Sequence, residues 1–234
     1  MNRTDKIRLI EPEHRYELEN EPEIEFTSCT SFVSRFFESF DKEAIANKLV
    51  SSHPSYIDMA AEDLIAQWDQ TAVDGTEVHN EIDAYIKENK HPTLPKSILA
   101  VEYLDSRTKD NIELTSEVII YSKEMKLAGT IDLLVYNKDK DLYKIIDWKT
   151  SKKIEMSSFG NKTGTHAATE QLMDCNYMHY SLQLSLYRYI LEREYGLKVH
   201  SCELCHLSDC VNEIRCEYHK ETIEAMLRSD GRIS

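Results

Sequence analysis

The sequence predicts a mixed α/β (α+β) fold: a central mixed β-sheet flanked by helices, with an N-terminal helical elaboration. Three observations lead there. Three short runs rich in β-branched and aromatic residues follow one another between residues 113 and 149. Helical periodicity brackets them on both sides. The chain's 234 residues, 41% hydrophobic and 30% charged, suffice for one well-buried domain and fit a globular rather than a disordered protein.

Taken in order, residues 1–27 are acidic, contain Pro12 and Pro22, and read as an arm or edge segment. Ser28-Cys29-Thr30-Ser31-Phe32 reads as a helix start, its hydroxyls available as caps ahead of Phe32, Val33, Phe36 and Phe37. A second helix is expected over roughly 57–68. A third runs to about residue 88, and on it Ile82 and Ile86 share a face with His79. The period then changes. Segments 113–121, 126–136 and 141–149 are short, β-branched and separated by turn formers such as Asn137-Lys138-Asp139, so they predict an antiparallel meander. A loop containing Gly160, Asn161, Gly164 and Thr165 follows. An amphipathic helix is expected from about 169 to 195, with Tyr180, Leu184, Tyr187 and Leu191 as its stripe and Gly196 ending it. Segments 199–207 and 213–218 read as strands and 220–228 as a last helix. The division expected is an acidic arm (1–27) and a single domain (28–234), the latter made of a helical elaboration (28–70), a core (71–207) and a C-terminal strand and helix (208–234).

No run of about 18 apolar residues exists, so no membrane span is expected. The residues after Met1 lead into no apolar signal-type segment, and an intracellular location is expected. Six cysteines then default to reduced thiols. Cys202, Cys205 and Cys210 invite a metal or iron–sulfur reading. On a strand, however, Cys202 and Cys205 point to opposite faces, which disfavours a cluster. A formal charge of −14 argues against coating nucleic acid by bulk electrostatics but leaves room for a local positive groove. Seven glutamates between Glu11 and Glu25 crowd the N-terminal segment, where they could shield a groove, dock a protein partner or keep the chain soluble. Six lysines lie between Lys138 and Lys153.

Two acids interrupt apolar strands: Asp132 in Gly129-Thr130-Ile131-Asp132-Leu133-Leu134, and Asp147 in Ile145-Ile146-Asp147-Trp148-Lys149-Thr150. A carboxylate among branched apolar residues is costly unless paired. A hard divalent cation such as Mg²⁺ is the natural partner. Asp147 and Lys149 are two apart, hence on one face of a strand, which sets an ammonium beside the cation where phosphoryl charge can be steadied. Alone, an aspartate at a strand end is more often a turn cap, and Asp-x-Lys arises by chance. Their order is more specific: strand with Asp132, strand with Asp147-Trp148-Lys149, then a helix.

That order resembles the PD-(D/E)XK nuclease superfamily and, within it, the RecB-like exonuclease branch. Gly75-x-x-x-His79 matches the branch's helical histidine. Gln183-x-x-x-Tyr187 matches its Gln/Tyr pair, Glu117 its additional strand acid, and Ser28-x-Thr30 its N-terminal segment. The layout is similar to the mitochondrial genome maintenance exonuclease group and to compact phage and viral exonucleases. The resemblance implies a restriction-endonuclease-like core and one or two Mg²⁺ or Mn²⁺ ions held by His79, Asp132, Asp147 and the Trp148 carbonyl. It implies a catalytic set of Asp132, Asp147, Lys149, His79, Glu117, Gln183 and Tyr187, with nucleic-acid contacts from Ser28, Thr30, Thr150, Lys152 and Lys153. The implied activity is exonucleolytic hydrolysis of DNA, preferring single-stranded ends, in replication, recombination or repair. The alternatives are a single-strand or structure-specific endonuclease, a non-catalytic nucleic-acid-binding subunit, and a cysteine-based metal protein.

Overall fold

In the computed structural model, residues 6–11, 13 and 15–234 are described. The start of the acidic arm, residues 1–5, together with Pro12 and His14, lies outside the described residues. The chain begins with strands β1 (Ile7–Ile10), β2 (Arg15–Leu18) and β3 (Thr27–Ser28). Four helices follow: α1 (Cys29–Ser34), α2 (Lys42–Ser52), α3 (Ala61–Glu88) and α4 (Pro95–Arg107). The meander is β4 (Ile112–Ser122), β5 (Leu127–Asn137) and β6 (Leu142–Lys149). Helix α5 (Asn176–Glu194), strands β7 (Val199–Leu207) and β8 (Val211–Cys216), and α6 (Lys220–Ser229) complete the fold.

The sheet is mixed. β5 pairs antiparallel with β4 along its length and with β6 at its end, while β6 and β7 run parallel and β8 returns antiparallel to β7. A parallel β6–β7 pair needs a crossover, and α5 supplies it. Helices cover both faces. Phe32, Ile131, Ile145, Leu184 and Ile223 belong to the core under α1, α5 and α6, whereas Val78, Tyr103, Leu133, Ile146 and Trp148 belong to the core under α3 and α4. The β1–β2 hairpin packs Tyr16 and Leu18 onto Tyr121 and Ala128, and β3 adds two residues parallel to the start of β5.

The helices depart from expectation in four places. The two predicted over 57–88 are one 28-residue helix, α3, because its polar middle turns continue as exposed helix. α2 was not anticipated: it buries only Ala46 and has no apolar stripe to read. α4 was not anticipated either, since its cap comes from another helix. Leu94 at its N-cap offers no side-chain bond, and the Glu81 carboxylate on α3 accepts the amide N–H groups of Thr93 and Leu94 instead. α5 begins at Asn176 rather than near 169. Thr169 is instead tied into a buried loop, its hydroxyl donating to the Phe36 carbonyl at 2.9 Å. Nor is α5 one-sided: Ser181, Leu182, Leu184, Ser185, Leu186 and Tyr187 are all buried, because the helix lies between the sheet and α1 and α6.

Candidate active site

The site starts at a break in the sheet. β4 and β5 pair Ser116 with Leu133 and Val118 with Ile131, and the intervening residues, Glu117 and Asp132, drop out of the ladder together. Both strands change face there. Val118 and Ile131 face the α5 side, whereas Leu114, Leu133 and Val135 face the α3–α4 side. Glu117 has φ +49°, a left-handed backbone that a residue with a Cβ adopts at a cost of about 1–3 kcal/mol. Glu117 and Asp132 still stand opposite each other across the two strands, so the two acids lie side by side where the strands change face.

On its other edge β5 is shared. Its first two residues pair with β3 and its last five, from Leu133, with β6. Between them the edge is open at Gly129–Asp132. The Asp132 Oδ2 fills part of this gap by accepting the Trp148 amide N–H at 2.8 Å, so a side chain takes the place of a ladder carbonyl. Beyond that point the end of β6 carries Asp147 and Lys149 on one face. The Lys149 Nζ lies 2.6 Å from Asp147 Oδ2 and 4.3 Å from the centroid of the Tyr180 ring on α5. Burial alone would lower the Lys149 pKa, but Asp147 and Asp132 outweigh it and raise the pKa, so the ammonium is retained.

His79 reaches the same place from α3. Its Nδ1 is 3.5 Å from Asp132 Oδ2. Gly75, one turn earlier, lets α3 lie against the end of β6: a Cβ there would stand 2.9 Å from Thr150 Oγ1. From α5, the Gln183 Nε2 donates to the Tyr187 hydroxyl at 2.9 Å, and Tyr187 lies against Gly129 so closely that a Cβ would meet its ring at 2.5 Å.

One atom each from His79, Glu117 and Asp132 lies within 4.8 Å of the other two, and among the described residues this is the one group of three with metal-ligand character. The acids bear the mark of an uncompensated pair. Burial and then the charge of Asp132 push Glu117 up to about 7, and burial and then Asp147 raise Asp132 despite His79 and Lys149. Carboxylates so placed are stabilised by a divalent cation, and an imidazole with two carboxylates is a donor set that suits one. The residues present therefore fit the metal.

A cavity of about 880 Å³ opens over this group. Of the sequence-predicted residues, Ser28, Thr30, His79, Glu117, Asp132, Trp148, Lys149, Thr150, Gln183 and Tyr187 line it. Asp147 sits just beneath, 3% exposed, its carboxylate turned to Lys149 rather than grouped with His79. Lys152 and Lys153 are not brought in. They are exposed on the loop after β6, where Lys153 faces Glu155 at 3.7 Å. Cys202 and Cys205 are buried in different cores on opposite faces of the sheet, and Cys210 is exposed.

Three aromatic lining residues carried no site signal in the sequence. Tyr16 comes from the acidic hairpin and shares a 3.0 Å hydrogen bond with Thr130 Oγ1, a contact across 114 residues that no local pattern announces. Tyr180 was legible only as part of a helical stripe, although it lies one turn before Gln183. Trp68 lines the cavity from α3.

Comparison with known proteins agrees with this reading of the fold. The profile of the PD-(D/E)XK nuclease superfamily matches residues 35–229. The chain belongs to that superfamily, whose members are hydrolytic nucleases that act on nucleic acid with divalent metals. Among solved structures, one similar chain is a "Putative exonuclease" from Eubacterium rectale, 13% identical, with 92% of this chain and 82% of that one covered and a TM-score of 0.37. No curated protein matches the sequence. No helix among the described residues is long and apolar enough to cross a membrane.

Proposed function

We propose that this protein is a Mg²⁺- or Mn²⁺-dependent exodeoxyribonuclease of the RecB-like branch that takes single-stranded DNA ends in replication, recombination or repair. The observation that carries the proposal is the close approach of His79, Glu117 and Asp132 beside a retained Lys149 ammonium. His79, Glu117 and Asp132, with Asp147 next to them, are the residues that would hold the cation. When bound, the cation supplies Lewis-acid stabilisation of the scissile phosphate and makes water acidic enough to be a nucleophile near neutral pH.

The protein's own residues do the rest. Lys149, fixed between the Asp147 carboxylate and the Tyr180 ring, donates toward a phosphoryl oxygen as negative charge grows there. Gln183 and Tyr187 support that end of the cavity through their mutual hydrogen bond. The hydroxyls of Ser28, Thr30 and Thr150 offer neutral donors for backbone phosphates, a contact type that positions a strand without reading sequence. Net charge works against binding any nucleic acid by bulk electrostatics, so the contacts are expected within the cavity, and the preference for single-stranded ends follows from the resemblance to the RecB-like branch.

The test is digestion of linear and circular single-stranded DNA of equal length with Mg²⁺ or Mn²⁺. The expected outcome is release of short products from the linear strand and no loss of the circle. Linearisation of the circle would replace the exonuclease reading with the endonuclease one.

A further inference from the structure

Trp68 is partly buried beside the small core of Ala46, Ala61 and Leu64 and also lines the active-site cavity. It lies on α3 eleven residues before His79, three helical turns, and therefore on the same face. Trp68, Thr71, Ala72, Gly75, Thr76 and His79 all line the active-site cavity from that face. The four cavity-lining residues between Trp68 and His79 are small, so the face is a smooth floor that ends in an aromatic wall. The distance along it is about 16 Å at 1.5 Å per residue. Behind Trp68 stands Phe40, 67% exposed, with ring centroids 6.0 Å apart and planes tilted by 57°. Phe40 thus leaves most of its apolar surface open while its ring meets the cavity-lining tryptophan. The cation nearby on the α2 side, Lys42, is already paired with Asp69.

We infer that Trp68, backed by Phe40, is a stacking platform for a base of the single strand whose phosphate occupies the His79–Glu117–Asp132 end of the cavity. The inference rests on the nuclease reading of that end. The ligand class follows from chemistry: a nucleobase presents a flat π-face to an indole, and stacking of this kind is indifferent to sequence, as a nuclease that works along a strand requires. Bases paired in a duplex have their faces covered, so the platform selects single strands without base-edge contacts. A span of about 16 Å corresponds to roughly five stacked nucleotides at ~3.4 Å each, and fewer in a stretched strand. The platform therefore grips the strand a few nucleotides from the bond that is cut.

The composition of the chain provides a direct reporter. It has two tryptophans; the other, Trp148, also lines the cavity but is 2% exposed with its side chain in the α3–α4 core, and Trp68→Phe separates its signal from that of Trp68. The experiment titrates the Lys149→Ala variant, in Mg²⁺, with oligothymidylate and with an abasic strand of the same length. Indole emission is followed alongside the anisotropy of end-labelled strands. The expected result is quenching by oligothymidylate and none by the abasic strand, which binds roughly ten-fold or more weakly. Adding Trp68→Ala should bring the two affinities together, Phe40→Ala should narrow the gap, and Trp68→Phe should keep most of it while abolishing the quench. A side chain that merely packs α3 onto α2 would weaken both strands alike. Strand binding with unchanged emission, or with the same base-to-abasic ratio in Trp68→Ala as in the parent, overturns the platform and leaves the nuclease reading intact. If no strand binds and the wild-type protein cleaves none in Mg²⁺, the nuclease reading falls and the platform with it.

Discussion

Glu117 combines two costs at one position, a left-handed backbone and a buried carboxyl whose pKa burial and Asp132 push up to about 7. A residue so placed is selected for something other than stability. Glu117→Gly relieves both costs. Its metal-free form should melt a few degrees higher, on the order of 1 kcal/mol for a chain of this size, while its Mn²⁺ affinity by calorimetry drops ten-fold or more. A lower melting point with unchanged Mn²⁺ affinity would make Glu117 a structural residue. Gly129 gives a second test, since its missing Cβ is what admits the Tyr187 ring. Gly129→Ala should destabilise by about 1–3 kcal/mol through overpacking and slow cleavage as Tyr187 is displaced from Gln183, read by denaturant melts and single-turnover rates. At this scale Asp132, Asp147 and Lys149 were legible because acids and a lysine inside β-branched runs violate the apolar pattern. Glu117 was recognisable only by resemblance, since its backbone angle leaves no trace in composition. Tyr16 was not recognisable, because its partner is 114 residues away.

Among the elements, the meander and the closing β7, β8 and α6 were readable because period and turn residues are local. α4 was not, because its N-terminal cap is the Glu81 carboxylate, which accepts from Thr93 N–H at 3.1 Å, Thr93 Oγ1 at 2.5 Å and Leu94 N–H at 2.9 Å. Burial alone would raise the pKa of Glu81, but these hydrogen bonds outweigh it and hold the group near 2. A carboxyl with a folded pKa below its unfolded value of about 4.3 contributes stability that is complete above that value and is lost as pH falls through the folded pKa. Glu81→Gln should therefore cost about 1 kcal/mol at neutral pH. Its melting point should converge with that of the wild type as pH is lowered from about 5 towards 2.5, the window set by those two pKa values. A gap that stays constant over that range would show that the carboxylate is not the cap. The same juncture matters to function, because α4 sits against α3 and α3 carries His79. α2 and the middle of α3 escaped for a different reason: they bury little, and what α3 turns inward there is a cavity rather than a core.

At the scale of the molecule, the fold brings four segments distant in the chain to one opening in a sheet: α3 with His79, the β4–β5 break with Glu117 and Asp132, the end of β6 with Asp147 and Lys149, and α5 with Tyr180, Gln183 and Tyr187. The acidic hairpin, read in the sequence as an arm or edge segment, adds Tyr16 to the cavity wall. On the proposed reading a phosphate meets Glu117 and Asp132 at the same place, so a cation held by them and by His79 would bind together with the substrate. The most direct measurement is single-turnover cleavage of an end-labelled single-stranded oligonucleotide in Mg²⁺ and in EDTA by the wild type, Asp132→Asn and Lys149→Ala, with melting curves to establish that each variant is folded. Cleavage should require the metal, and both variants should be slower by about 100-fold or more. Undiminished cleavage in EDTA, or by folded Lys149→Ala, would contradict the assignment of this opening as the active site.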